Sequence, residues 1–469
     1  MIINSIVFLF FFLFFLSFYF YYNSYALQNL WILIASYVFY GWTDWRIVGL
    51  LLVTTVVFFI LGVKLTSTHS KKSKIGLMYL SVIIGIGLLL YFKYMNFFIE
   101  QFAFTFGLFG IHTNWSSFNI VVPIGISFFT FKLISYIIEV YNGNIDAEKD
   151  FIDFAAFVAF FPTIMSGPID KPNMFIPQLK RPKTWNDGMV LEGSKRILWG
   201  LFLKMCIADK VSPYTDSVFT YYYHHSGITI ILASVLYTFQ IYADFCGYSE
   251  MAIGVSQVMG FKVTENFKRP LFATNCGDFW RRWHMSLMAF FREYVYFPLG
   301  GSRCSQMKVF RNTMITFLIS GLWHGANWTF VIWGGYHGVL VYFYRRMKQF
   351  LPNNLHGFPD VAFKYLSIFL VFVLCTLGWM VFRCDSLLQF FGMIERLLSP
   401  GGLFFSWALT AIIPICILLL KEMKDEESWN LHFLHAKNYY IQAVSIALLI
   451  VYIFYTGELD GAQFIYFQF

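Results

Sequence analysis

Eleven stretches of this chain are apolar for long enough to cross a bilayer whose hydrocarbon core is about 30 Å thick. They lie near residues 5–22, 27–42, 45–65, 75–92, 120–141, 228–246, 309–323, 328–344, 363–382, 402–420 and 439–456. Inside lipid the backbone N–H and C=O groups have no water to bond, so a spanning segment satisfies them internally as a helix. This requirement sets the expected fold class, an all-α polytopic membrane protein of about eleven transmembrane helices. The composition agrees, since 58% of the 469 residues are hydrophobic and 22% aromatic, against 13% charged. The first run, Ile6 to Tyr22, has no basic n-region and no small-residue cleavage site. It reads as a retained first helix whose phenylalanines suit a lipid-facing position.

The segments between the runs add re-entrant and interfacial helices to this expectation. Residues 151–187 begin apolar and then break at Pro162, Gly167, Pro168, Pro172 and Pro177. Irregular backbone at membrane depth has to be buried in protein or line a watery cavity, so a re-entrant or interfacial segment is expected here. The next helix, about Met189 to Ile207, carries Lys195, Arg196 and Lys204 and is expected at the interface. The loop with Lys71, Lys72 and Lys74 and the cluster Arg345, Arg346, Lys348 place those two ends in the cytoplasm. The net charge of +8 is then the positive-inside bias of the loops, not a nucleic-acid surface. Lys421 to Asn438 is a polar loop outside the bilayer. The seven cysteines are odd in number and contain no CxxC pair, so they supply neither a disulfide framework nor a zinc pattern. Without a long linker or an internal repeat, residues 1–469 read as a single membrane-embedded domain. The two halves lack matching broken helices, which counts against an inverted-repeat transporter.

Polar groups inside such a chain are costly, and each is a functional-site hypothesis. On the run near 228–246, Ser234, Tyr237, Gln240, Asp244 and Tyr248 recur every three or four residues and share one helix face. The stripe has two readings, hydrogen bonds between helices and the lining of a cavity. Read as one amphipathic helix, Phe267 to Pro298 puts Trp280, Trp283, His284, Leu287, Met288 and Phe291 on one face and Arg281, Arg282, Ser286, Arg292 and Glu293 on others. The expectation is a Trp-anchored surface helix, with His284 alone in the apolar stripe needing a partner or a substrate. His324 lies in Gly321-Leu-Trp-His-Gly-Ala-Asn-Trp, with Trp323 and Asn327 beside it and further glycines at 334, 335 and 338. These glycines permit either close helix packing or close approach of a ligand. His224, His225 and His337 are given structural roles. Lys132 and Glu139, seven apart on one helix face, are expected to form a buried ion pair. There is no Gly-x-Ser-x-Gly elbow, Walker loop, dinucleotide fingerprint or His-Glu-x-x-His pair, and no metal site is expected.

Eight stretches together resemble the membrane-bound O-acyltransferase family, and most closely its bacterial alginate O-acetylation subgroup. They are Ala35-Ser-Tyr-Val-Phe-Tyr-Gly-Trp, Pro123-Ile-Gly-Ile-Ser-Phe-Phe, Phe160-Phe-Pro with Ser166-Gly-Pro, Asp244-Phe-Cys-Gly-Tyr-Ser, Asn266-Phe-Lys-Arg-Pro, Phe279-Trp-Arg-Arg-Trp-His-Met-Ser-Leu, Gly321-Leu-Trp-His-Gly-Ala-Asn and Gly378-Trp-Met-Val-Phe-Arg. The resemblance implies a central cavity through the membrane, with a catalytic core region over residues 120–345. It also implies that His324 is the catalytic histidine and His284 the second signature position, which other branches of the superfamily fill with Asn. Two positions depart from the pattern: Lys132 stands where similar chains tend to carry an acid or amide, and Cys246 where serine is common.

The expected activity is transfer of an acetyl group from cytoplasmic acetyl-CoA, across the inner membrane of a bacterium, for O-acetylation of an extracytoplasmic polysaccharide. The resemblance implies a separate extracytoplasmic acetyltransferase as partner. His324 would act as general base or carry the acetyl group, chemistry open to an imidazole near neutral pH, and His284 would orient the thioester. Arg281, Arg282 and Lys268 would attract the CoA phosphates. Trp280, Trp283, Trp323, Asn327, Gln240, Asp244 and Tyr248 complete the expected binding set. Two rival readings stand beside this one: transfer of another acyl group, such as D-alanine from a carrier protein to a cell-wall polymer, and a transporter without covalent chemistry.

Overall fold

The protein is seen in a computed structural model that describes residues 1–111, 118, 120–348, 358–427, 434, 436, 438–458, 461, 464 and 465. Part of the expected polar loop Lys421 to Asn438 therefore lies outside the described residues. Among these residues every regular element is helical. Each of the eleven apolar runs contains a helix. Among the described residues five helices are long and apolar enough to cross a membrane: Arg46–Ser67, Lys71–Leu108, Gly227–Val258, Val361–Arg383 and Tyr439–Thr456. Ile6–Tyr19 is apolar but shorter.

Two runs depart from their expected limits. The run at 120–141 becomes helical only at Ile126, because Pro123 and a left-handed Gly125 (φ +76°) turn the chain first. In the run at 402–420, a short turn at Trp407–Ala411 precedes the helix Ile412–Glu427. Upstream, the Gly402 carbonyl accepts from Ser226 Oγ (2.8 Å) and the Phe404 amide donates to Thr229 Oγ1 (3.0 Å), which ties this backbone to side chains.

Contacts divide the chain into two compact units, Met1–Ile197 with Met251–Thr264, and Leu198–Glu250 with Glu265–Phe469. In the first, α1 (Ile6–Tyr19), α2 (Tyr25–Gly41), α3 (Arg46–Ser67), α4 (Lys71–Leu89), α5 (Met95–Leu108) and α6 (Ile126–Tyr141) precede α7 (Phe151–Ala159) and α8 (Pro172–Leu179). The chain is buried from Asp153 on α7 through the irregular stretch that follows, as far as Asp170, as irregular backbone at membrane depth has to be. Its anchors are polar side chains: Ser36 Oγ accepts from the Phe161 amide (3.1 Å), Asn29 donates to Asp153 (2.7 Å), and Asp170 accepts from the Thr264 amide (2.8 Å). Around Phe161 the rings of Phe8, Phe11, Phe12, Phe15 and Phe39 close the core. Lys132 on α6 donates to Thr163 Oγ1 (2.8 Å), and Glu139 accepts from Asn144 (2.8 Å). Two helical turns separate the ends of the expected ion pair, and each has another partner.

The helix α9 (Asp187–Leu201) runs on through a widened turn, Phe202–Ala208, into α10 (Asp209–Thr220). It does not behave as an interfacial helix throughout, since Lys195 and Lys204 are both 4% exposed. The second unit is then built on residues 227–250 of α11 (Gly227–Val258), with α12 (Cys276–Arg282), α13 (Met285–Phe291), α14 (Gln306–His324), α15 (Trp328–Met347), α16 (Phe358–Arg383), α17 (Leu387–Arg396), α18 (Ile412–Glu427) and α19 (Tyr439–Thr456). The spanning stretch of α11 is 78% buried, whereas that of α19 is 0% buried, so α11 is a core helix and α19 a peripheral one.

Candidate functional site

His324 is the last residue of α14, and α15 begins four residues later at Trp328. The turn between them is held from its far side. Asn327 caps α15 by accepting from the Thr329 amide (3.1 Å) and donates to the Asp385 carbonyl (2.8 Å). The two helices then pack backbone against backbone. A Cβ on Gly321 would lie 2.2 Å from the Phe330 carbonyl oxygen, and one on Gly334 would lie 2.2 Å from that of Phe317. At these two positions the glycines serve close packing, and the crossing they permit sits one turn from the imidazole. His324 is 2% exposed and ringed by Trp323 at 5.0 Å, Trp333 at 5.0 Å and Phe382 at 5.3 Å between ring centroids.

His284 reaches the same cluster by a different route. The segment expected to be one amphipathic helix is broken: α12 ends at Arg282, Trp283 is extended, and His284 takes a left-handed backbone (φ +45°) before α13. The break is bridged by the segment at 266–268. The Lys268 amide donates to the Arg282 carbonyl and the Met285 amide to the Asn266 carbonyl, both at 2.9 Å. This pairing answers the backbone groups that the interruption of the helix leaves open. Nor is the segment a surface helix, for Trp280, Trp283, His284, Leu287 and Phe291 are all at most 5% exposed.

The side chain of Asn266 fixes the state of His284. Its Oδ1 accepts from Ser286 Oγ (2.6 Å) and from the Ser286 amide (3.4 Å), and because a backbone N–H can only donate, the amide orientation follows; its Nδ2 donates to Ser249 (3.2 Å). His284 Nδ1, 3.3 Å from that Oδ1, must then carry the proton. Burial pushes the imidazole down to about 3, so it stays neutral with its lone pair on Nε2. Its ring stands 4.5 Å from Phe245 and 5.9 Å from Trp323. Trp323 thus contacts both histidines.

Trp280, Trp283, Trp333 and Trp379 pack around this centre. The indole N–H groups of Trp280, Trp333 and Trp379 and the hydroxyl of Ser320 are buried without a hydrogen-bond partner among the described residues. Such a set of buried donors is unusual in a folded protein and suits a polar ligand atom or water. His337 packs among Trp280, Trp333 and Phe279 with its Nε2 against Gly378.

The polar stripe of α11 faces inward, and its members divide by partner. Gln240 accepts from Thr215 (2.6 Å), and Ser234 bonds back to its own helix at Ile230 (2.8 Å). Asp244 and Asp209 both pair with Lys204, each at 2.7 Å, so Lys204 is a buried counter-ion. The second oxygen of Asp244 accepts from the Ile465 amide (2.7 Å), and the Phe464 ring contacts Tyr248 (4.8 Å, tilted) and Phe245 (5.9 Å, edge-on). Residues 464–465 therefore contact the α11 turn that also touches His284.

Of the expected cations, Arg282 is already engaged. It makes a two-toothed contact with Glu426 (3.0 Å twice) and pairs with Asp278 (2.9 Å). Arg269 also donates to Glu426 (2.8 Å). Burial alone would raise the Glu426 carboxyl, but the hydrogen bonds from Arg282 and Arg269 outweigh it and hold the group below its usual range. Arg281, with its side chain 68% exposed, and the exposed Lys268 remain open to solvent. Sequence reasoning missed Asn266, Asp209, Glu426, Trp333, Trp379 and the 464–465 segment as members of this unit. Asn266 and Trp379 lie inside stretches that carried the resemblance, which was the available signal.

A model of the membrane-bound O-acyltransferase family matches residues 38–384. The chain is 38% identical to "Probable alginate O-acetylase AlgI" of Pseudomonas aeruginosa, covering 88% of this chain and 77% of the relative. It is 36% identical to the protein of the same name from Azotobacter vinelandii, over 86% of this chain and 79% of the relative. To "Peptidoglycan O-acetyltransferase" of Helicobacter pylori it is 31% identical, over 80% and 74%.

Proposed function

The chain belongs to the membrane-bound O-acyltransferase family, and from that premise we propose that it transfers acetyl groups from acetyl-CoA for O-acetylation of an extracytoplasmic polysaccharide. It is an acyltransferase and an integral membrane protein; the acetyl donor, the polysaccharide acceptor, the bacterial inner membrane and a separate acetyltransferase partner belong to the proposal. The relatives whose names specify O-acetylation cover most of its length, which supports acetyl over other acyl groups.

The observation that supports the reading is that two buried imidazoles, His284 and His324, both contact Trp323. In the proposed step His324 takes the proton of an acceptor hydroxyl as the new O–C bond forms at the thioester carbonyl. The C–S bond breaks and the CoA sulfur leaves, to be protonated from the imidazolium. General-base assistance of this kind contributes about 10²–10⁴-fold. Direct attack by the imidazole would instead place the acetyl group on His324 for one half-reaction. His284, neutral and with Nε2 unprotonated, acts as a positioning residue. The buried indole N–H groups of Trp280 and Trp333 are suited to the developing negative charge on the carbonyl oxygen. Arg281 and Lys268 would attract the CoA phosphates, while Arg282 holds the α12 backbone through Glu426.

The test is His324→Ala in a cell that acetylates its surface polymer, with membrane insertion followed by immunoblot. Surface O-acetyl content should vanish while the protein remains in the membrane, and purified wild-type protein should release free CoA from acetyl-CoA where the variant does not. Retained acetylation in the variant would sink the role of His324. Loss of D-alanyl esters in place of acetyl esters would overturn the donor.

A further inference from the structure

A third buried imidazole stands in the same aromatic cluster and takes no part in the proposed step. His337 lies on α15 one turn after Trp333 and is fully buried. Its ring meets Trp333 at 5.1 Å and Trp280 at 5.1 Å, both edge-on, and the two indoles meet each other at 5.6 Å. The three rings therefore close a triangle. Trp333 links it to the chemistry, since the same indole stands 5.0 Å from His324. On the opposite side the imidazole is closed in by backbone. Its Nε2 lies 2.6 Å from the place a Cβ on Gly378 would take, and that Cβ would also come within 3.3 Å of the Tyr336 ring. Tyr336 donates to the Leu374 carbonyl (2.9 Å), one turn before Gly378, which ties α15 to α16 at this level. His337 is thus wedged between α16 and the indole pair. Rings packed this closely do not turn without moving their neighbours.

Filling the core does not by itself call for a histidine here. Nε2 is buried without a hydrogen-bond partner among the described residues, and a buried polar atom left unpaired costs stability that a hydrocarbon side chain would not. The shape of the ring accounts for the choice. A phenyl ring in its place would extend past Nε2 into the α16 backbone, and an aliphatic side chain would lack the flat ring that meets two indoles edge-on. The rings it meets share a further property: the N–H groups of Trp280 and Trp333 are themselves buried and unpaired among the described residues. They are the donors suited to the acyl carbonyl oxygen, and such a donor stabilises a transition state only when it is aimed beforehand at the place where charge develops.

We propose that His337 is a positioning residue of the transfer site, the wedge that aims the Trp280 and Trp333 N–H groups at the acyl carbonyl oxygen. The proposal rests on the acyl-transfer reading and on the donor role given there to the two indoles. His337 itself touches neither the acyl donor nor the acceptor.

The assay is release of CoA from acetyl-CoA by the purified full chain in detergent, with kcat expressed per folded molecule and melting followed in parallel. His337→Ala frees both indoles to turn, and a misplacement of about 1 Å should lower kcat about 10²-fold with KM for acetyl-CoA unchanged. His337→Gln, whose amide reaches the Nε2 position, should recover most of the rate. Gly378→Ala should press the ring into the indoles and slow kcat to a similar extent, again at constant KM. When His337→Ala and Gly378→Ala are combined, the added methyl enters the space that the imidazole has left. The double variant should then be no slower than His337→Ala alone. A purely structural residue would lower melting and leave kcat per folded molecule intact. That result in both single variants, a rise in KM at constant kcat, or losses that multiply in the double variant would overturn the proposal. If His337→Ala does not fold, Gly378→Ala alone decides by the same criteria. Turnover that is lost in His324→Ala but kept in these variants refutes the positioning role and leaves the acyl-transfer reading standing. CoA release that survives His324→Ala removes that reading, and this proposal with it.

Discussion

Gly321→Ala separates the packing of the α14–α15 crossing from the chemistry it carries. The added Cβ would lie 2.2 Å from the Phe330 carbonyl oxygen, whereas real Cβ atoms essentially never come closer than 3.0 Å, so the backbones must part locally by about 0.8 Å. Carbonyl oxygen in a helix cannot rotate away as a side-chain tip can. Overpacking of this kind costs about 1–3 kcal/mol. His324 follows three residues later, and a misplacement of about 1 Å at a reacting group costs about 10²-fold in rate. The variant should therefore insert and fold, melt earlier in detergent, and acetylate roughly a hundred-fold more slowly. Gly334→Ala has the same 2.2 Å geometry against Phe317. Once one alanine has opened the crossing, the second meets a contact already relieved, so the double variant should cost less than the sum of the two. Unaltered melting and turnover in Gly321→Ala, or strictly additive costs, would refute the view that this crossing sets the position of His324.

Other expectations follow from the buried polar groups. Lys204→Met leaves the carboxylates of Asp209 and Asp244 facing each other without a counter-ion and should destabilise by about 3–5 kcal/mol in denaturant titration; adding Asp209→Asn and Asp244→Asn should recover much of the loss. Asn266→Ala removes the acceptor that fixes His284 Nδ1 and Ser286, so it should cost about 1–3 kcal/mol and slow turnover, whereas Asn266→Gln should not restore it. The Glu426 carboxyl is held below its ordinary value of 4.5, so the stability it contributes is present above that value and lost as the pH falls through the lower folded one. Melting scans between about pH 6 and 3 should show this decline in the wild type and a shallower one in Glu426→Gln.

The helices were legible because lipid imposes a simple rule on composition, and His324 stood out because an imidazole between indoles breaks that rule. The end of α6 at Tyr141 was legible too, but its start was set six residues early, although Pro123 and Gly125 mark the turn that delays it. What remained hidden depends on partners distant in sequence. Nothing at residues 283–285 marks a helix break: there is no proline or glycine, and the interruption is stabilised by Asn266 and Lys268 from another segment. Lys204 looked like an interfacial cation because its two carboxylates lie five and forty residues away. Arg282 was assigned to phosphates although Asp278 stands four residues before it, because its two-toothed partner Glu426 is 144 residues distant. A cation shows its charge in the sequence but not its counter-charge.

The left-handed backbone at residue 284 filters which amino acids can stand there before chemistry chooses among them. Most side chains pay roughly 1–2 kcal/mol to enter this region, while asparagine, aspartate and histidine visit it several times more readily than other non-glycine residues. The resemblance to the family attributes histidine to this position in one branch and asparagine in others, and both belong to that short alphabet. A leucine or valine would meet a dihedral penalty first, and to relieve it would have to unpair the 283–285 link from residues 266–268. The choice of residue at this site is thus channelled by a torsion angle, and an imidazole or an amide can stand here without rebuilding the chain around it.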